Sequence, residues 1–124
     1  GIRAALNYGH TIGHAIEAAS GYRGKYNHGE AVAIGMVAAA HLSNKLGMLS
    51  DQELSKIKAL IKRAGLPVKI KNIRFSKIWA AQLHDKKFVQ GVNAFVLPVK
   101  IGKVAIVKNV PKDLVQATIR ELIA

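Results

Sequence analysis

The sequence contains no cysteine, which excludes disulfides, zinc–thiolate sites and cysteine nucleophiles. Aromatic residues make up only 6% of the chain, too few for the stacking surface of a nucleic-acid-binding module. The longest apolar run, Ala31 to Leu42, is interrupted by Gly35 and His41 and is too short to span a bilayer. We therefore expect neither a nucleic acid nor a membrane as partner. Acidic residues are also scarce, seven against nineteen Lys and Arg, and the net charge of +12 favours a negatively charged binding partner.

The chain has enough apolar material for one hydrophobic core, since half of its 124 residues are hydrophobic. No repeat, low-complexity tract or linker divides it, so we predict a single domain over residues 1–124. The chain begins at Gly1 without methionine and without a signal-peptide pattern, from which we expect a part of a longer protein.

Hydrophobic periodicity predicts a mainly α-helical domain. The predicted helices cover residues 2–19, 27–46, 50–64, 75–84 and 111–123. The second of them is rich in alanine and apolar on most faces, which is typical of a buried central helix. Capping boxes are predicted where Asn27 precedes Glu30 and where Ser50 precedes Glu53. Residues 94–98 and 104–107 are rich in β-branched side chains around Gly102, and they predict a small antiparallel β-hairpin near residues 94–108.

A polar stripe on the first predicted helix points to chemistry. Arg3, Asn7, His10, His14 and Glu17 are spaced by four, three, four and three residues, which places all five on one face of a helix. A solvated face would be filled with Lys and Glu, whereas these side chains bind metals, exchange protons and bind anions.

A third histidine, His28, comes at the start of the next predicted helix. Two histidines one turn apart also occur as ordinary polar residues at the edge of a helix, but His28, Arg3 and Asn7 favour a site. Zn²⁺ and similar ions prefer imidazole and carboxylate ligands. The residues between His10 and His14 are Thr-Ile-Gly, without the glutamate that serves as the base of a zinc peptidase, so peptidase chemistry is not expected.

Two long runs carry a family resemblance. Residues 1–17, GIRAALNYGHTIGHAIE, and residues 28–36, HGEAVAIGM, closely resemble the 3-dehydroquinate synthases. The resemblance continues through GLP at 65–67, HDKK at 84–87 and FVLP at 95–98. It covers essentially the whole chain, as the mainly helical C-terminal domain of that family.

The resemblance implies a reaction of the shikimate pathway, in which 3-deoxy-D-arabino-heptulosonate 7-phosphate becomes 3-dehydroquinate and phosphate. Bound NAD⁺ transiently oxidises a hydroxyl group, phosphate is eliminated, and an intramolecular aldol step closes the ring. A divalent metal, zinc or cobalt, acts as a Lewis acid on the substrate hydroxyls. The resemblance also implies a cytoplasmic homodimer with an N-terminal NAD-binding domain that this sequence does not contain.

The family's site residues map onto this chain by position. His10 and His28 match the two histidine metal ligands, and the third ligand is a glutamate of the N-terminal domain. His14 matches the histidine that assists phosphate binding and proton movement. Arg3 and Asn7 match substrate-anchoring positions. Lys86 or Lys87 matches a lysine that contacts an anionic group of the substrate; without the resemblance, these two lysines would be interpreted as a solvated loop pair.

Because the family's site lies between two domains, the chain alone is expected to be inactive and to bind metal weakly. The alternatives are the C-terminal domain of a related sugar-phosphate cyclase or of a metal-dependent polyol dehydrogenase. The cationic residues favour an anionic substrate and so argue against the dehydrogenases. A small basic nucleic-acid-binding module would account for the charge but would leave the histidine stripe unexplained.

Overall fold

The computed structural model describes residues 10–21 and 26–124, with the side chains of residues 10 and 11 excepted. Its helices are α1 His10–Ser20, α2 His28–Lys45, α3 Asp51–Arg63, α4 Phe75–Gln82, α5 Lys86–Val89 and α6 Lys112–Leu122. The strands β1 Ala94–Lys100 and β2 Lys103–Lys108 form an antiparallel hairpin. The predicted mainly α class with a hairpin near 94–108 is confirmed. In the part of the chain that the structure describes, no helix is both long and apolar enough to cross a membrane.

Helix α2 is the buried centre of the fold, as its composition predicts. From Ala31 onward most of its side chains are inaccessible to solvent, and Ile34, Val37 and Leu42 are completely buried. Helices α1, α3 and α6 and strand β1 all pack against it. Small alanine side chains let these neighbours approach from several directions at once, which a helix with a single apolar stripe would not allow.

The hairpin is attached to the helices by buried polar groups. The hydroxyl of Ser43 on α2 donates a hydrogen bond to the carbonyl of Pro98 on β1. Asn93 is buried and pairs with the backbone of Val110, accepting from its N–H at 2.8 Å and donating to its carbonyl at 3.0 Å. Because an unpaired buried backbone group is costly, these bonds fix where the hairpin begins and ends.

Three predicted local features differ in detail. Ser50 caps α3 by accepting from the N–H of Glu53 at 3.1 Å, but the carboxylate of Glu53 accepts from the N–H of Ile101 in the hairpin turn, also at 3.1 Å. A tertiary partner thus replaces the second half of the predicted capping box. Helix α4 ends at Gln82, two residues before the predicted end, and Pro111 is the N-cap of α6 instead of its first helical residue.

Gly13 lies where α1 comes closest to α2. A Cβ atom at this position would stand 3.2 Å from the carbonyl oxygen of Ala31 and 3.5 Å from the Cα of Val32. Both neighbours are backbone atoms of a buried helix, so neither can rotate aside as a side chain would. The absence of a side chain at Gly13 therefore sets the distance between the two helices.

We predict that Gly13→Ala lowers the free energy of unfolding by about 1 kcal/mol, since overpacking costs ~1–3 kcal/mol and the better helix propensity of alanine returns about 1 kcal/mol. Gly29→Ala is the matched control. Among the described residues, a Cβ atom there would meet only the side-chain oxygen of Asn27 at 3.6 Å, so this variant should be as stable as the parent or more stable. Urea unfolding curves measure both; equal stabilities for the two variants would contradict the prediction.

Candidate metal and substrate site

The start of α2 is held in place by several independent contacts. Asn27 accepts a hydrogen bond from the N–H of Glu30 at 2.8 Å, and the carboxylate of Glu30 accepts from the N–H of Asn27 at 3.0 Å. This is the predicted capping box, and it is confirmed. The hydroxyl of Tyr26 accepts from the N–H of Lys71 at 2.8 Å and donates to the carbonyl of Lys69 at 3.3 Å. The backbone of His28, which directly follows Asn27, is therefore held in a fixed position.

His28 contacts the polar face of α1 directly. Its Nδ1 atom lies 3.1 Å from Oε1 and 3.2 Å from Oε2 of Glu17. Both side chains are partly exposed, 62% for His28 and 42% for Glu17. Glu17 lies one turn after His14 and two turns after His10 on the same face of the helix. The contact thus brings the start of α2 against the face of α1 that the sequence analysis identified.

The structure describes this predicted cluster in part. His14 is exposed, while Ile12 and Ile16 on the opposite face are buried in the core. His10 is the first described residue of α1, but its side chain lies outside the description. Arg3 and Asn7, and with them the predicted start of the first helix at residue 2, also lie outside the described residues. Convergence of the three imidazoles stays a prediction.

Lys86 and Lys87 occupy a short helix that the sequence analysis missed. Helix α5 begins where the carboxylate of Asp85 accepts from the N–H of Phe88 at 3.1 Å. Phe88 is completely buried and packs edge-on against Trp79 at 5.6 Å. Both lysines are exposed, and in the described part of the chain neither forms a salt bridge. The Asp-x-x-Phe spacing is the signal that could have indicated this helix.

The donor chemistry at the start of α2 fits a divalent metal ion. A carboxylate only accepts hydrogen bonds, so the contact with Glu17 places the proton of a neutral His28 ring on Nδ1 and the lone pair on Nε2. Imidazole nitrogen is a preferred ligand of Zn²⁺ and Co²⁺. Among the described side chains no three acidic or histidine groups converge, so a complete site requires donors beyond them.

A second Glu–His contact, which the sequence analysis did not find, joins α2 to α6. His41 is 8% exposed, and its Nδ1 lies 3.4 Å from the carboxylate of Glu121, which also contacts Lys45 Nζ at 2.6 Å. Burial, with the nearby Lys58 charge, lowers the pKa of His41, although Glu121 opposes the shift. The hydrogen bond from Lys45 lowers the pKa of Glu121. His41 Nε2 is buried and has no hydrogen-bond partner among the described residues, so a protonated ring would leave a donor unsatisfied.

The sequence matches known proteins along nearly its whole length. Residues 1–88 match the protein-family model described as 3-dehydroquinate synthase C-terminal. The chain is 46% identical over 121 residues to a protein of Nostoc punctiforme named 3-dehydroquinate synthase, covering 97% of this chain and 33% of that protein. It is 50% identical over 115 residues to the protein of that name from Caldanaerobacter subterraneus, covering 93% and 32%. The chain thus spans about a third of the length of these curated relatives.

Solved structures of sugar-phosphate cyclases have a similar fold. A 2-deoxy-scyllo-inosose synthase in complex with carbaglucose-6-phosphate, NAD⁺ and Co²⁺ superimposes with a TM-score of 0.79 at 31% identity, over 95% of this chain and 35% of that one. A 2-epi-5-epi-valiolone synthase from Streptomyces hygroscopicus with NAD⁺ and Zn²⁺ bound gives a TM-score of 0.78 at 26% identity, over 94% and 32%.

The buried His41 predicts how stability depends on pH. The pKa of His41 is lower in the native state than its ordinary value of about 6.5 in the unfolded chain. Below about pH 6.5 the unfolded chain therefore binds more protons than the native state. The free energy of unfolding should consequently fall as the pH drops from about 7 to 5. The lowered pKa of Glu121 acts in the same direction, but chiefly at the acid end of this range, where the carboxyl of the unfolded chain begins to bind protons. His41→Gln should flatten the slope, measured by urea unfolding at several pH values. His84→Gln, at an exposed site, is the control; an unchanged slope in His41→Gln would refute the assignment.

Proposed function

Because the chain belongs to the 3-dehydroquinate synthase family, we propose that it is the C-terminal helical domain of a longer enzyme with an N-terminal NAD-binding domain. The proposed reaction converts 3-deoxy-D-arabino-heptulosonate 7-phosphate to 3-dehydroquinate and phosphate, in the cytoplasm and in a homodimer. The observation that carries this proposal is the similarity to relatives of that name at 46% and 50% identity over more than nine-tenths of the chain.

We propose that His28 and His10 hold a divalent metal ion, with a third ligand from outside this chain. The Nδ1 contact with Glu17 supports this role for His28, because it directs the lone pair of the neutral ring to Nε2. When bound, the metal supplies Lewis-acid polarisation of a substrate hydroxyl, and NAD⁺ accepts and returns a hydride. The Co²⁺ and Zn²⁺ ions in the two similar cyclases support this choice of metal.

The other site residues bind and position the substrate. His14 is an exposed imidazole one turn before Glu17, so it can give or take a proton beside the substrate phosphate. Arg3 and Asn7 are proposed to anchor the anionic and hydroxyl groups, a role that suits guanidinium and amide donors. Lys86 or Lys87 is proposed to pair with a further anionic group.

The two sugar-phosphate cyclases keep a second function open. Their folds superimpose closely on this chain, so the fold does not distinguish a 3-dehydroquinate synthase from these cyclases. The substrate of the longer protein would distinguish them. Identity to these two cyclases is 31% and 26%, against 46% and 50% to the relatives named 3-dehydroquinate synthase, and we therefore favour the latter reaction.

Turnover by the protein expressed from its complete reading frame tests the proposal. With NAD⁺ and Co²⁺ or Zn²⁺, it should release phosphate and form dehydroquinate from the seven-carbon keto-acid phosphate but release no phosphate from glucose 6-phosphate. His28→Ala should lose activity by at least ~100-fold, because a metal ligand is removed. The chain of residues 1–124 alone should be inactive. The reverse substrate preference would assign it to the 2-deoxy-scyllo-inosose synthases.

Separate variants decide between the two lysines. Consecutive residues of a helix point about 100° apart, so Lys86 and Lys87 leave α5 in different directions, and we expect one of them to contact the substrate. We predict that alanine at the contacting position lowers kcat/KM by roughly 10- to 100-fold, the effect of losing a hydrogen bond to a charged group, while alanine at the other has little effect. If neither variant changes kcat/KM in the complete protein, α5 does not contact the substrate.

A further inference from the structure

The carboxylate of Glu17 is one of two, with that of Glu121, that contact an imidazole in the part of the chain that the structure describes. Glu30 and Asp85 cap helices, and Glu53 accepts from a turn N–H. Glu17 instead reaches from α1 to an imidazole on α2, with both oxygens within 3.2 Å of one nitrogen. Neither residue is buried, so the contact adds little to stability by itself, since exposed ion pairs contribute about 0–1 kcal/mol.

The contact between Glu17 and Nδ1 of His28 determines the state of the other ring nitrogen, Nε2. Nδ1 must carry a proton to bond to a carboxylate, so a neutral His28 presents its lone pair at Nε2. The position of Glu17 also restricts rotation of the ring, because Nδ1 is held while the backbone of His28 is held by the capping box. A ligand nitrogen that is fixed in tautomer and direction binds a metal ion more tightly.

We propose that Glu17 is a positioning residue for the metal ion, acting through His28 without touching the ion. The inference rests on the proposed function, since it requires that His28 is a metal ligand. Of the five residues in the predicted polar stripe, Glu17 is the one to which the proposed substrate and metal roles assign no function. It also explains why His28 needs a neighbour on α1: the capping groups at the start of α2 orient its backbone but not its ring.

Two substitutions separate the hydrogen bond from the charge. Glu17→Gln keeps an oxygen that can accept from Nδ1, whereas Glu17→Ala removes the acceptor. In the complete protein, competition against a chelator should show that Glu17→Ala binds Co²⁺ or Zn²⁺ about 10- to 100-fold more weakly, while Glu17→Gln stays within a few-fold of the parent. The visible absorption spectrum of the bound Co²⁺ should change in Glu17→Ala and be largely retained in Glu17→Gln.

Glu121→Ala is the matched control, because it removes the carboxylate from the second Glu–His contact, at His41. This variant should bind metal like the parent. Thermal unfolding without metal should be unchanged in Glu17→Ala, since its carboxylate is partly exposed. A lower melting temperature matching the loss of affinity would show a merely structural role and overturn the inference.

The outcomes distinguish this inference from the function on which it rests. If the parent protein binds neither ion, or His28→Ala binds as tightly as the parent, the proposed metal site is wrong. If His28→Ala loses the metal but Glu17→Ala keeps parental affinity and spectrum, only the role of Glu17 is wrong. Loss in both, with recovery in Glu17→Gln, supports both conclusions.

Discussion

The close packing of α1 against the first turns of α2 is the constraint on which the candidate site depends. Gly13 allows the two backbones to approach until a Cβ atom would stand 3.2 Å from the Ala31 carbonyl. At this separation the carboxylate of Glu17 reaches the imidazole of His28 across the helix pair. If the two helices lay further apart, both could still form. The carboxylate of Glu17 would then no longer reach the imidazole of His28.

Helix α2 has a buried middle and an exposed N-terminal end. Its middle is buried on nearly every face, which fixes the helix within the fold, while its first residue, His28, is exposed at the candidate site. Asn27 and Glu30 satisfy backbone groups at that exposed end. The ring of His28 is therefore not needed as a cap, and its Nδ1 contacts Glu17 on α1 instead. A rigid helix with a satisfied end is a precise support for a ligand side chain.

The two Glu–His contacts show that environment decides what the same pair of side chains does. His41 is buried, its Nε2 has no hydrogen-bond partner in the described part of the chain, and burial lowers its pKa. Its contact with Glu121 is therefore part of the packing between α2 and α6. His28 is more than half exposed, and its contact with Glu17 lies at the surface, where α1 meets the start of α2. Neither pairing is visible in the spacing of residues along the chain.

The sequence by itself determined the helical class, the hairpin and the capping box at Asn27, because periodicity and caps depend on residues within a few positions of each other. It did not determine helix α5, the turn partner of Glu53 or the two Glu–His contacts. These features depend on which surfaces pack together in the folded protein. The buried side chain of Phe88 anchors α5 in the core. Gly13 sets the distance between α1 and α2 at which Glu17 contacts His28. Local patterns fix elements, whereas only packing decides which side chains from different elements become neighbours.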